Sequence, residues 1–237
     1  MNPIKLIGFD ADDTLWKSED YFREAEATFL EIVGRYEDVS ASAESLYALQ
    51  SRNIALFGYG VKGMALSMIE AAIEFTDARI SAKDIHRIVE IGKAMLDHPV
   101  ELLPGVAEAV REIATQYPLV LITKGDLFHQ ERKVEASGLA DIFQRIEIVS
   151  EKNEAAYRRL FKEFDVDASE FLMVGNSLRS DIAPVVALGG FGIHVPYHVT
   201  WVHEQAEIHA GAERWRTAAS AQDIVRTLAE LAGSPTH

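Results

Sequence analysis

Two hydrophobic rhythms alternate along the chain. Residues 4–9, 119–123, 146–150, 171–174 and 191–195 form short runs that are apolar almost throughout. They are too short for helices and lack the in–out alternation of a half-exposed strand, which suits strands buried on both faces. Helical patterns lie between them at 106–117, 127–137, 154–164 and 180–188, and Gly138 and Gly189-Gly190 stand where the second and fourth would stop. Strand and helix in strict alternation predict an α/β domain, a Rossmann-like doubly wound parallel sheet.

One stretch breaks the alternation. From about residue 17 to 99 the apolar positions keep a helical period and no strand pattern appears. Helices are predicted over 21–36, 43–57, 61–75 and 81–96, with the turn Gly58-Tyr59-Gly60 between the second and third. Ser81 is the expected N-cap of the fourth, with Asp84 three residues on. The expected organisation is an α/β core, residues 1–16 and 100–237, interrupted by an all-α four-helix insertion, residues 17–99. A last helix is predicted over 220–232, with Ser220 and Asp223 as its start signal.

Composition narrows the partners. The 237 residues carry a formal charge of -14, which disfavours nucleic acid and anionic membrane surfaces. No cysteine is present, so disulfides, thiolate metal sites and a cysteine nucleophile are excluded. No apolar stretch reaches the roughly 18 residues of a membrane span, and Met1-Asn2-Pro3-Ile4-Lys5-Leu6 lacks the form of a signal peptide. A soluble cytoplasmic protein is the expectation.

Candidate chemistry sits at the ends of the apolar runs, where open α/β sheets place their sites. Asp10-Ala11-Asp12-Asp13-Thr14 follows the first run. Asp10 suits a carboxylate nucleophile that takes up a phosphoryl group, and Asp12 an acid/base partner for the leaving oxygen and the attacking water. Two carboxylates and a phosphate repel one another, and Mg²⁺ is the natural mediator. Thr123-Lys124-Gly125-Asp126 follows the second run, a hydroxyl and a glycine turn able to hold phosphate oxygens, with Thr123 and Lys124 as the candidate contacts. Lys152 follows the third run and offers a cation to the nucleophile and the transferring group. Gly175-Asn176-Ser177-Leu178-Arg179-Ser180-Asp181 follows the fourth and offers an amide oxygen and a carboxylate to the metal. Singly, the last three read as ordinary turns and a surface lysine. Together they fall at successive strand ends in one order.

This combination resembles the haloacid dehalogenase-like superfamily of hydrolases, over about residues 4–16 and 102–196. The resemblance implies Asp10 as nucleophile and metal ligand. It implies Asp12 as general acid/base with its backbone carbonyl on Mg²⁺, and Thr123 and Lys152 as phosphate-orienting groups. The helical insertion looks like the family's mobile cap, which closes over substrate and often sets specificity. Two positions depart from the family pattern. Asn176 replaces the usual first acid of the fourth motif, leaving Asn176 and Asp181 both as candidate metal ligands, and Asp13 stands where many relatives have glycine. Related dehalogenases attack carbon, need no metal and lack the second carboxylate, whereas Asp12 is present here.

The expectation is a Mg²⁺-dependent phosphomonoester hydrolase acting on a small phosphorylated metabolite. The alternatives are a phosphomutase or 2-haloacid dehalogenase on the same fold, or a non-catalytic protein that binds phosphorylated ligands. His194, His198, His203 and His209 match no strong metal-ligand spacing and read as loop histidines, with Tyr197, Trp201 and Trp16 as packing residues.

Overall fold

Residues 4–38, 42–199, 204, 211 and 213–233 are described by a computed structural model. After β1 (Leu6–Phe9) come four consecutive helices, α1 (Glu19–Val33), α2 (Ser42–Phe57), α3 (Val61–Phe75) and α4 (Ala82–Leu96). The chain continues through α5 (Val106–Ala114), β2 (Leu119–Lys124), α6 (Leu127–Ala136), β3 (Arg145–Val149), α7 (Glu154–Phe164) and β4 (Phe171–Gly175). It then runs through α8 (Ala183–Ala187), β5 (Phe191–His194), β6 (Trp215–Thr217) and α9 (Ala221–Gly233). The strands form one parallel sheet in the order β3-β2-β1-β4-β5-β6.

Why the central strands read as unbroken apolar runs is visible in their burial. Every residue of β1 and β4 is buried, as is β2 up to Thr123. Ile7, Phe9, Leu119, Leu121, Leu172 and Val174 pack on one face with Val106, Val110 and Ile113 of α5 and Ile224, Leu228 and Leu231 of α9. Their alternates Leu6, Val120, Ile122, Phe171 and Met173 pack on the other with Tyr157, Leu160 and Phe161 of α7. With helices on both faces, neither set of side chains meets water.

The structure corrects the sequence expectation in three places. The run at 146–150, expected to be buried on both faces, is the edge strand β3, where Arg145 and Ile146 are exposed and only Val149 is buried. The sheet has six strands where five were expected. β6 has three residues, sits at the sheet edge and is only half-buried, so it carries no apolar run. The single helix expected over 180–188 is a π-helical turn, Leu178–Ile182, leading into the short α8. The amides of Asp181 and Ile182 both reach the Ser177 carbonyl, at 3.0 and 3.3 Å, and that of Ala183 reaches Leu178. The wide turn carries the Asp181 side chain into the interior, and Pro184 follows at the start of α8 with no N–H to donate.

The chain divides into two compact units. One runs to Glu19, resumes over Val100–Lys124 and continues from Glu131; it holds the sheet. The other is Asp20–Pro99 with Gly125–Gln130. Its interior is built from Phe29, Ile32 and Val33 of α1, Leu46 and Leu49 of α2, Met64 and Met68 of α3 and Ile88 of α4. Ser81 caps α4 as expected, its Oγ accepting from the Asp84 amide at 3.1 Å. Among the described residues no helix is long and apolar enough to cross a membrane.

Candidate active site

Strand register brings the four segments to one end of the sheet. Phe9 aligns with Leu121 of β2 and Val174 of β4, so Asp10 leaves β1 level with Gly175 and with Ile122, one residue before Thr123. Thr123 aligns with Ile148 of β3, which places Lys152 a few residues past the next strand end. The Asp10 amide donates to the Val174 carbonyl at 2.9 Å, extending the ladder to the carboxylate itself.

At the centre, the buried Lys152 ammonium pairs with both Asp10 and Asp181, the latter at 2.7 Å. Burial pushes the Asp10 carboxyl up; Lys152 opposes this, Asp181 adds to it, and the balance stands at about 7. Burial alone would lower the Lys152 pKa, but the two carboxylates outweigh it and raise it. Two anions around one cation leave this interior with surplus negative charge. Thr14 donates to Asp10 Oδ2 at 3.2 Å and accepts from the Asn176 amide at 3.0 Å, tying the first segment to the fourth. Asp181 Oδ2 also accepts from the Ser177 amide at 3.0 Å.

Asp12 faces a different set of partners. Its Oδ1 accepts from the Trp16 indole N–H at 2.7 Å and pairs with Lys133 of α6. Trp16 is thus more than the packing residue expected: it is buried and also fixes the Asp12 side chain. Asp13 has φ 61, the left-handed conformation that glycine adopts freely and Asp tolerates. Its buried carboxylate accepts from the amides of Ser18 and Glu19 at 2.8 and 3.1 Å, at the start of α1. Burial first, and Asp12 second, push that carboxyl up to about 8 against the pull of these amides. A glycine would supply the turn without the cap.

Thr123 is buried at the end of β2, its hydroxyl donating to the Lys124 carbonyl at 3.3 Å. Lys124, expected as a phosphate contact, is engaged elsewhere. Successive strand residues face opposite ways, and its ammonium bonds Ser180 Oγ at 3.1 Å and Glu204 at 2.5 Å.

The donor set suits a hard cation. Among the described residues no three His, Asp or Glu side chains converge as a metal cage. What converges is two carboxylates, Asp10 and Asp181, beside a turn bearing the Asn176 amide. Such a sparse oxygen set matches Mg²⁺, which keeps several waters and takes a phosphate oxygen. His194 does not join it as a ligand cluster. Its Nε2 lies 3.0 Å from the Asn176 carbonyl, and burial lowers its pKa. The Tyr197 and His198 rings touch at a tilt of 49°, and Trp201, His203 and His209 lie outside the described residues.

Sequence reasoning did not find Lys133, Glu204 or Tyr157. Lys133 and Glu204 are distant in sequence from the groups they pair with, and no motif marks them. Tyr157 lies in the apolar stripe of α7, and its hydroxyl donates to the Ser180 carbonyl at 3.2 Å.

Gly175 shows how little room the site leaves. A Cβ there would stand 2.2 Å from Asp181 Oδ2 and 2.6 Å from Asp181 Cβ. Asp181 is itself held by Lys152 and the Ser177 amide, so it cannot swing aside freely. Gly175→Ala is expected to cost about 2 kcal/mol or more in a urea melt, at the upper part of the overpacking range. A loss under about 0.5 kcal/mol would mean that the turn yields.

A family model described as haloacid dehalogenase-like hydrolase matches residues 4–189. The crystal structure of a haloacid dehalogenase-like family hydrolase from Xanthomonas campestris is 54% identical, covers 98% of this chain and 94% of its own, and superposes with a TM-score of 0.86. A 2-haloacid dehalogenase from Pseudomonas syringae pv. tomato DC3000 is 22% identical over 96% of this chain and 99% of its own, with a TM-score of 0.62. The HAD-hydrolase YfnB from Bacillus subtilis, solved with bound magnesium, is 14% identical over 95% of this chain and 99% of its own, with a TM-score of 0.67. The last two likenesses show the fold alone. No curated protein sequence matches the chain.

Proposed function

Since the chain belongs to the haloacid dehalogenase-like hydrolases, we propose that it hydrolyses phosphate monoesters of a small metabolite through an aspartyl-phosphate on Asp10, with Mg²⁺ as cofactor. The observation that carries this reading is the second carboxylate, Asp12, two residues past the nucleophile and oriented by Trp16 and Lys133. Attack on a carbon bearing a halide needs no leaving-group proton. Phosphoryl transfer from an alkyl oxygen does.

In the first step an Asp10 oxygen forms a bond to phosphorus as the bond to the ester oxygen breaks, and Asp12 delivers a proton to the leaving alcohol. In the second, Asp12 takes a proton from water, the water oxygen bonds to phosphorus, and the acyl-phosphate bond opens to return Asp10 and release inorganic phosphate. Lys152 holds the Asp10 carboxylate in place between attacks, and Thr123 offers its hydroxyl to the phosphate. Asp10, the Asp12 carbonyl and Asn176 or Asp181 would hold Mg²⁺. When bound, the ion offsets the surplus negative charge and polarises the phosphoryl oxygens.

The test is turnover of a panel of alkyl and aryl phosphates with and without Mg²⁺, alongside halide release from 2-haloacids. Phosphate release that requires Mg²⁺ is expected, with no halide. Halide release without metal would establish the dehalogenase alternative. Retention of the phosphoryl group on a sugar product would establish the mutase. Binding without any turnover would establish a non-catalytic protein.

A further inference from the structure

Downstream of β5, Glu204 reaches back to the turn that carries the candidate metal ligands. Its carboxylate accepts from Ser177 Oγ, Ser180 Oγ and Lys124 Nζ, each at 2.5 Å. The knot is internally closed. Lys124 also bonds Ser180 Oγ at 3.1 Å, and Ser177 Oγ accepts from the Ser180 amide at 2.9 Å. It is not a surface ion pair: the Lys124 and Glu204 side chains are only 14% and 13% exposed.

The residues it grips are the ones on which the metal turn depends. Ser177 follows Asn176 directly, and its amide donates to Asp181 Oδ2. Ser180 precedes Asp181, and its carbonyl is held by the buried Tyr157 hydroxyl. Ser177 caps, and Ser180 sits within, the π-helical turn Leu178–Ile182, an uncommon backbone that persists only when its surroundings over-determine it. Free serine hydroxyls here would compete for nearby backbone groups. A carboxylate accepting from both removes that freedom. Because Lys124 neutralises it, Glu204 does so without adding net negative charge beside a phosphate site.

We propose that Glu204 is a positioning residue for Mg²⁺: by clamping Ser177 and Ser180 onto Lys124 it fixes the directions of the Asn176 amide and the Asp181 carboxylate, and so sets metal affinity. This rests on the metal reading given above. It also gives Lys124 a role, as the counter-charge that makes the clamp neutral.

The experiment is calorimetric titration of the purified full chain with MgCl₂, paired with thermal melts, for the native protein, Glu204→Ala and Glu204→Gln. Outer partners of metal ligands are commonly worth about 10- to 100-fold in affinity. One bond further out, Glu204→Ala is expected to weaken Mg²⁺ binding by about 10-fold. Glu204→Gln keeps an oxygen for the serines and should lose less. Turnover of each variant should recover towards the native value at saturating Mg²⁺. An affinity within twofold of native in Glu204→Ala, whether or not its melting temperature falls, overturns the inference and leaves the metal reading intact. If that variant does not fold, an unchanged affinity in Glu204→Gln overturns it instead. A native chain that binds no Mg²⁺ overturns the metal reading, and this inference with it.

Discussion

Asp10→Asn is expected to abolish phosphate release while leaving the fold intact or more stable. The amide keeps the size of the side chain but cannot form the acyl-phosphate, so turnover of an aryl phosphate with Mg²⁺ should fall by at least about 10⁴-fold, the scale seen when a covalent nucleophile is removed. Stability should move the other way. In the native chain the Asp10 pKa is raised from 3.8 to about 7 by burial and by Asp181, against the pull of Lys152. A folded pKa above the unfolded one means that the native state binds more protons between those values, so stability is lost as pH rises through them. Asn has no charge to desolvate, and it leaves Lys152 and Asp181 as a one-to-one pair. Without divalent metal, the variant should therefore gain on the native protein from pH 4 to 7, by on the order of 1 to 3 kcal/mol. Urea melts at both ends of that range read the effect. Turnover that survived unchanged would sink the nucleophile assignment, and a gain independent of pH would sink the account of its charge.

Lys152→Met should have the opposite signature, costing stability as well as rate. Lys152 is 5% exposed, and its ammonium is shared by two buried carboxylates. Removing it leaves Asp10 and Asp181 together with no cation between them. Breaking a buried pair by deleting one partner typically costs about 3 to 5 kcal/mol, because the remaining charge is stranded. Here two charges are stranded, and the chain can relieve them only by taking up a proton. The deficit should accordingly be larger at pH 8 than at pH 5, and Mg²⁺ should recover part of it. Denaturation at both pH values, with and without metal, measures this. A loss below about 1 kcal/mol at pH 8 would show that water reaches the carboxylates. A loss equal at both pH values would show that Lys152 acts through packing alone.

The contrast between these substitutions follows how the site is written in the chain. Asp10 and the 175–181 turn stand just past apolar runs, Thr123 ends one, and Lys152 follows the edge strand β3; the runs of β1, β2 and β4 are apolar because those strands are covered on both faces, whereas β3 is half-exposed. Local pattern therefore sufficed for the parallel α/β core, the helical insertion after β1 and the Ser81 cap. It did not suffice for β6, whose three residues are half-exposed at an edge, or for the π-helical turn, whose direction depends on where Asp181 is buried.

What the sequence by itself determined was the order of elements from β1 to β5 and the residue types at each strand exit, since hydrophobic period and turn chemistry act between near neighbours. Only the tertiary structure decided which charges meet. It gave Lys152 two carboxylates instead of one, turned Asp12 towards Trp16 and Lys133, and drew Lys124 into a buried knot with Glu204. These pairs join residues as much as 142 positions apart. Their energies depend on distance and desolvation, and neither exists until the sheet has assembled.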